Sequence, residues 1–93
     1  MIEFEWDDEK AAANLRKHGV SFEFAAKAFR DPLGIEWIDD REGYGEVRTI
    51  LLAMADGSIL VVVYTERDSR IRLISARRAT KYEQDKYYRE NDA

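Results

Sequence analysis

The sequence predicts an α+β fold, with an antiparallel β-sheet of four to five strands packed against two N-terminal helices and one C-terminal helix. Three observations predict it: two capped helical segments lie before Pro32, short β-rich segments joined by tight-turn signals follow, and a capping box comes after the last of them. At 93 residues, with 45% hydrophobic and 37% charged side chains, the chain has the size of one compact domain over residues 1–93. No repeat, linker or low-complexity run divides it, and Pro32 is the only proline.

Ile2 to Trp6 alternates apolar and acidic residues, which reads as a half-buried strand. Asp7 is an N-cap, with Asp8 and Glu9 in the first turn of a helix that runs to about His18, where Gly19 can take the left-handed position that ends it. Ala11, Ala12 and Leu15 form the expected core stripe of this helix, and Lys10, Asn14, Lys17 and His18 a neighbouring polar face. Ser21 caps a second helix whose apolar stripe is Phe22, Ala25, Ala26 and Phe29, and Asp31-Pro32 stops it.

Strands are expected at 33–39, 46–54, 58–66 and 70–77, separated by a charged, glycine-containing loop and two tight turns. Asp56-Gly57 is a type I′ hairpin signal. The run from Ile59 to Tyr64 is apolar on both faces, as a central, covered strand requires. Thr80 and Glu83 then form a capping box that opens the last helix.

Composition narrows the chemistry. There are no cysteines, so disulfides and thiolate metal sites are excluded. The N-terminus lacks a basic-then-apolar leader, and no apolar run reaches the length of a membrane span, so a cytoplasmic chain without membrane contact is expected. The formal charge of −4 is unevenly distributed: residues 1–66 hold 7 Lys/Arg against 14 Asp/Glu, whereas residues 67–93 hold 8 against 5. Local positive potential belongs near the last strand, and a broad DNA-binding face is not indicated.

Three groups of side chains could carry chemistry. Lys17 and His18 could bind a phosphate and move a proton, since histidine is the side chain that ordinarily titrates near neutrality; they also suit the negative end of their helix as mere dipole partners. If both hairpins have two-residue loops, Arg48 lies opposite Thr65 and Thr65 opposite Arg72, which puts two guanidiniums on one face roughly 10 Å apart. Their forked donors suit the oxygens of an RNA phosphate, and the alternative is pairing with acids such as Glu46 or Glu66. Arg77, Arg78 and Lys81 gather charge where strand passes to helix. There Glu83 could act as a base, although capping already accounts for it, and Tyr64, Tyr82, Tyr87 and Tyr88 could stack on bases or fill the core. Phosphate-binding glycine loops, nucleophile elbows, metal-binding histidine pairs and dinucleotide fingerprints are absent, so neither a metal nor a cofactor is expected.

Phe4-Glu5-Trp6-Asp7, Lys10, Asn14 and Lys17-His18-Gly19-Val20-Ser21-Phe22 resemble the opening signature of BrnT-family toxins. The resemblance continues through Phe29-x-Asp31-Pro32, Arg48, the apolar strand ending at Tyr64, Arg72-x-Ile74-Ser75-Ala76-Arg77, Glu83 and Tyr87. It implies a RelE-like ribonuclease fold and a toxin of a type II toxin–antitoxin pair that blocks translation by degrading RNA. It also implies a BrnA-like ribbon-helix-helix antitoxin as partner, a 2:2 complex, and contact with operator DNA only through that antitoxin. The implied site residues are Lys17, His18, Arg48, Arg72, Arg77 and Glu83, with Trp6 and Tyr64 weaker. The expected mechanism is metal-independent attack by the RNA 2′-OH, with His18 or Glu83 as base and Arg48 and Arg72 stabilising charge on the phosphate. The rival expectation is a toxin-like binding module without catalysis.

Overall fold

The computed structural model describes residues 2–41 and 45–92. Part of the charged loop expected before the second long strand, residues 42–44, lies outside the described residues.

Asp7 accepts hydrogen bonds from the amides of Glu9 and Lys10 at 2.8 and 3.2 Å, which starts α1 (Asp8–His18), and Gly19 ends it at φ 71°. Ser21 accepts from the Phe24 amide and opens α2 (Phe22–Ala26), which tightens into a 3-10 turn over Lys27–Arg30 before Pro32. The strands are β1 (Phe4–Glu5), β2 (Ile35–Asp39), β3 (Arg48–Ala55), β4 (Ser58–Arg67) and β5 (Arg70–Arg78), and α3 (Lys81–Asn91) follows with the expected Thr80–Glu83 capping box. None of the helices among the described residues is long and apolar enough to cross a membrane.

Both hairpins have two-residue loops. Asp56 and Gly57 both have positive φ, as do Asp68 and Ser69, and the pairs Ala55–Ser58 and Arg67–Arg70 close them. These turns chain β3, β4 and β5 into an antiparallel meander with β2 on its far side, in the order β1-β5-β4-β3-β2. The sheet is mixed rather than wholly antiparallel, because β1 pairs with β5 in parallel. No local turn sets the direction of β1, which reaches β5 only after most of the chain has intervened, so hairpin signals carry no information about it.

The sheet is covered on both sides. One face carries Leu51, Ala53, Leu60, Val62, Tyr64, Leu73 and Ala76 against α1 and α2, and the aromatic rings of Phe4, Phe29 and Tyr64 meet edge to face at 5.1 and 5.0 Å. The other face packs Leu52, Ile59 and Val61 against Ala79 and Tyr87 of the α3 segment. β4 is thus central and buried on both faces along Ile59–Val62, as its unbroken apolar run predicts.

The core stripe of α1 differs from the expected one. Leu15 is 49% exposed and Ala12 is exposed, whereas Asn14 is only 7% exposed. The Asn14 amide accepts from Ala76 N at 3.1 Å and donates to Ala76 O at 2.8 Å and to Val20 O at 3.0 Å. Because β1 pairs only with Ile71 and Arg72, β5 has an open edge further along, and Asn14 stands in there for a strand partner. A hydrogen-bonded amide therefore takes the inward position that a count of apolar side chains assigns to Leu15.

Candidate functional site

Beyond α3 the same face of the sheet carries a row of polar side chains that crosses all five strands, in which Asp39 and Thr65 are buried and Arg48, Arg72 and Glu5 partly exposed. Asp39 of β2 pairs with Arg48 of β3, the register of the first hairpin continues from Thr49–Tyr64 to set Arg48 opposite Thr65, and Thr65 pairs with Arg72 of β5, which pairs with Glu5 of β1. Paired residues share a face, so Asp39, Arg48, Thr65, Arg72 and Glu5 all project on the α3 side. The Thr65 hydroxyl donates to Val47 O at 2.7 Å, which fixes the centre of the row.

Carboxylates accompany each arginine. Arg72 donates to Glu5 at 2.8 Å, Arg48 lies 3.6 Å from Glu46, and Arg67 reaches the same Glu46 at 3.3 Å. Glu66, the other acid expected to pair with these arginines, sits opposite Ile71 and faces away from them. Glu5 is the partner that sequence reasoning missed, since only the parallel pairing of β1 brings it beside Arg72; its alternation with Phe4 and Trp6 was the available signal.

Arg77 shares this face by way of a bulge. β4 and β5 pair in one register from Arg67–Arg70 to Tyr64–Leu73 and in a shifted one from Val63–Ser75 onward, leaving Ile74 extra. Arg77 pairs with Val61, four residues along β4 from Thr65, hence on the Thr65 side and about 13 Å from the Arg72 row. Both guanidinium nitrogens of its fork bind Glu83, at 2.8 and 2.9 Å. This bond, with the Thr80 amide and against the opposing effect of burial, holds the Glu83 carboxyl at about 2, while the same bond pushes Arg77 up. A carboxylate so held is a weak base.

The remaining expected site residues lie elsewhere. α1 runs along β5 from the Arg72 end, where Asp7 follows β1, past Ala76 to Gly19, which lies beside the Arg78 side chain. Lys17 and His18 therefore stand at the Arg78 end, roughly 17 Å of strand from the Arg48–Arg72 row. Lys17 is exposed and His18 half-buried. Arg78 pairs with Leu60 and so points to the α1 side, and Lys81 is exposed on α3 beside Asp85. Tyr64 is 5% exposed on the α1–α2 face, where its hydroxyl donates to Glu36 at 2.9 Å; burial first, then the Glu36 carboxylate, pushes it up to about 12. Trp6 packs edge to face on Phe22 at 5.8 Å. The Tyr64 ring is thus not presented for stacking on a base, and Trp6 is half-buried. Tyr87 is buried, and its hydroxyl donates to Asp31 at 2.5 Å.

The arrangement can bind an anion along a row of guanidiniums whose present partners are carboxylates, and it offers a second guanidinium farther along the same face. A family model described as the ribonuclease toxin BrnT of type II toxin–antitoxin systems matches residues 6–83. No individual protein of curated function matches the chain.

Proposed function

Because the chain belongs to the BrnT family of ribonuclease toxins of type II toxin–antitoxin systems, we propose that the polar row on its α3-side face is where it cuts RNA. The observation that carries the reading is the row Arg48–Thr65–Arg72, two guanidiniums on one face with a threonine fixed between them.

In this reading Arg48 and Arg72 grip the scissile phosphate, exchanging Glu46 and Glu5 for phosphate oxygens, and stabilise the charge that builds there as the 2′-OH attacks. The attack forms a 2′,3′-cyclic phosphate and expels the 5′ oxygen of the next nucleotide, which water protonates. The base in this reading is Glu5, supported by its contact with Arg72, since a base must reach a proton beside the phosphate that Arg72 holds. Glu83 instead positions Arg77, which binds the strand farther along. Lys17, His18, Arg78 and Lys81 extend positive charge at that end. The reaction needs no metal, because the guanidiniums supply the electrostatic stabilisation, and DNA is resistant because it lacks the nucleophile.

The partner is a BrnA-like ribbon-helix-helix antitoxin in a 2:2 complex, through which alone operator DNA is contacted, and the toxin acts in the cytoplasm. The chain functions as one domain. A second reading, a binding module without catalysis, draws on the carboxylates beside Arg48 and Arg72, which compete with phosphate. Incubating the isolated chain with purified RNA and with DNA in EDTA separates the two. Cutting of RNA alone supports the ribonuclease; growth arrest on expression without any cutting supports the module.

A further inference from the structure

From the groove between β2 and α3 we infer a nucleobase subsite, in which a base of the bound RNA stacks on Trp37 beside the arginine row. The inference rests on the ribonuclease reading above. Trp37 pairs with Ile50, on the same face as Asp39 and Arg48 and two residues along β2 from Asp39, so its indole starts about 7 Å from the row that holds the phosphate. It is 37% exposed and borders an open groove of about 670 Å3, whose opposite wall is α3 with Tyr82, 72% exposed. A volume of that size admits a base and its ribose.

The chemistry of the walls suits a base better than a phosphate. Lys86 lies over the indole, with its ammonium 5.6 Å from the ring centre and 3.0 Å from Glu90, and its flexible side chain must swing aside when a base stacks there. Glu83 and Glu90 line the groove paired with Arg77 and Lys86, so its walls carry little net charge to attract a phosphate, and the Glu90 carboxylate can accept from the exocyclic amino group of a base. A flat aromatic ring and a carboxylate acceptor read the face and the edge of a single-stranded base, and the arginines continue from them along its backbone. An apolar peptide stripe from a protein partner would meet the charged pairs of Glu83 and Glu90 here.

The test is binding of a dye-labelled 2′-O-methyl oligoribonucleotide, which cannot be cleaved through its 2′ oxygen, followed by anisotropy. Wild type, Trp37→Ala, Trp37→Phe and Arg72→Ala are compared, each shown folded by circular dichroism, on the oligonucleotide and on its abasic counterpart. Trp37→Ala is expected to weaken binding about 5- to 100-fold, the range that loss of one stacked base implies, and Trp37→Phe to recover most of the loss. The abasic strand binds wild type and Trp37→Ala alike. Normal affinity in Trp37→Ala, or an equal loss on both strands, overturns the subsite; if Arg72→Ala still loses affinity, the ribonuclease site survives that result. Undiminished binding by Arg72→Ala, or no binding by wild type, removes the site and the subsite together. A Trp37→Ala variant that binds RNA normally but escapes its antitoxin marks the groove as a protein dock and also overturns the inference.

Discussion

Arg72 and Arg77 project from the same face of β5 although they are five positions apart, because Ile74 is extra in the ladder between them. In a regular strand an odd separation puts two side chains on opposite faces. The bulge thereby lines up the Arg48–Arg72 row and the Arg77–Glu83 pair along one path on the α3-side face.

Glu83 should act through Arg77 rather than as a base. Its carboxyl is held at about 2, against an ordinary value of 4.5, mainly by the two bonds from Arg77. A depressed carboxyl stabilises the fold fully above its unfolded value and loses that contribution as pH falls from about 4.5 towards about 2. Glu83→Gln is therefore expected to lower stability at pH 7 by on the order of 1–2 kcal/mol, discounted for the solvent around Arg77, and to flatten the acid limb of stability against pH. Urea denaturation at pH 7 and pH 3 checks this, and the difference between wild type and variant should shrink at the lower pH. RNA cleavage by Glu83→Gln should fall less than the 10²- to 10⁴-fold that loss of a general base brings.

Glu5→Gln and His18→Ala should part company. The carboxylate of Glu5 touches Arg72, whereas His18 stands at the far end of α1. Single-turnover cleavage by Glu5→Gln is expected to drop about 10²- to 10⁴-fold, and by His18→Ala less than tenfold. The reverse ranking would return the proton to His18.

Asn14→Leu should be among the costly substitutions despite adding apolar volume. It strips the partners from Ala76 N, Ala76 O and Val20 O, all at buried positions. A loss of about 3 kcal/mol is expected, seen as a fall in the urea midpoint, with the Ala76 amide exchanging faster.

Tyr87→Phe should loosen α3 from the loop before β2. Burial pushes the Asp31 carboxyl up, but the Tyr87 hydroxyl and the amides of Met54 and Leu33 together bring it below its ordinary value. In return, burial and then the Asp31 bond raise Tyr87 to about 12. Removing the hydroxyl is expected to cost about 1–2 kcal/mol, since Asp31 keeps its amide partners, and absorbance titration should lose one of the two tyrosines, Tyr64 and Tyr87, that ionise near pH 12.

Capping residues, turn pairs and hairpin register were all legible in the sequence, because each is decided by a few neighbouring residues: Asp7, Ser21 and Thr80 cap as expected, and Thr65 faces Arg72. What escaped was set by contacts distant in the chain. The parallel pairing of β1, which supplies Glu5 to Arg72, depends on residues 67 positions apart, and the inward turn of Asn14 depends on an edge of β5 that β1 leaves open. The bulge at Ile74 went unseen because nothing in Leu73-Ile74-Ser75 marks it. Several residues that carry the family resemblance, Asn14, Asp31 and Tyr87 among them, are bonded within the fold itself, so a shared motif is no guide by itself to which side chains meet RNA.

The central claim is that the row on the α3-side face cuts RNA, and the cleavage rate of Arg72→Ala against wild type, on purified RNA with EDTA present, tests it most directly. With the variant folded, the account predicts a fall of about 10²- to 10³-fold, the cost of deleting a donor that stabilises the developing charge. Equal rates in variant and wild type would contradict it and take the row out of the reaction.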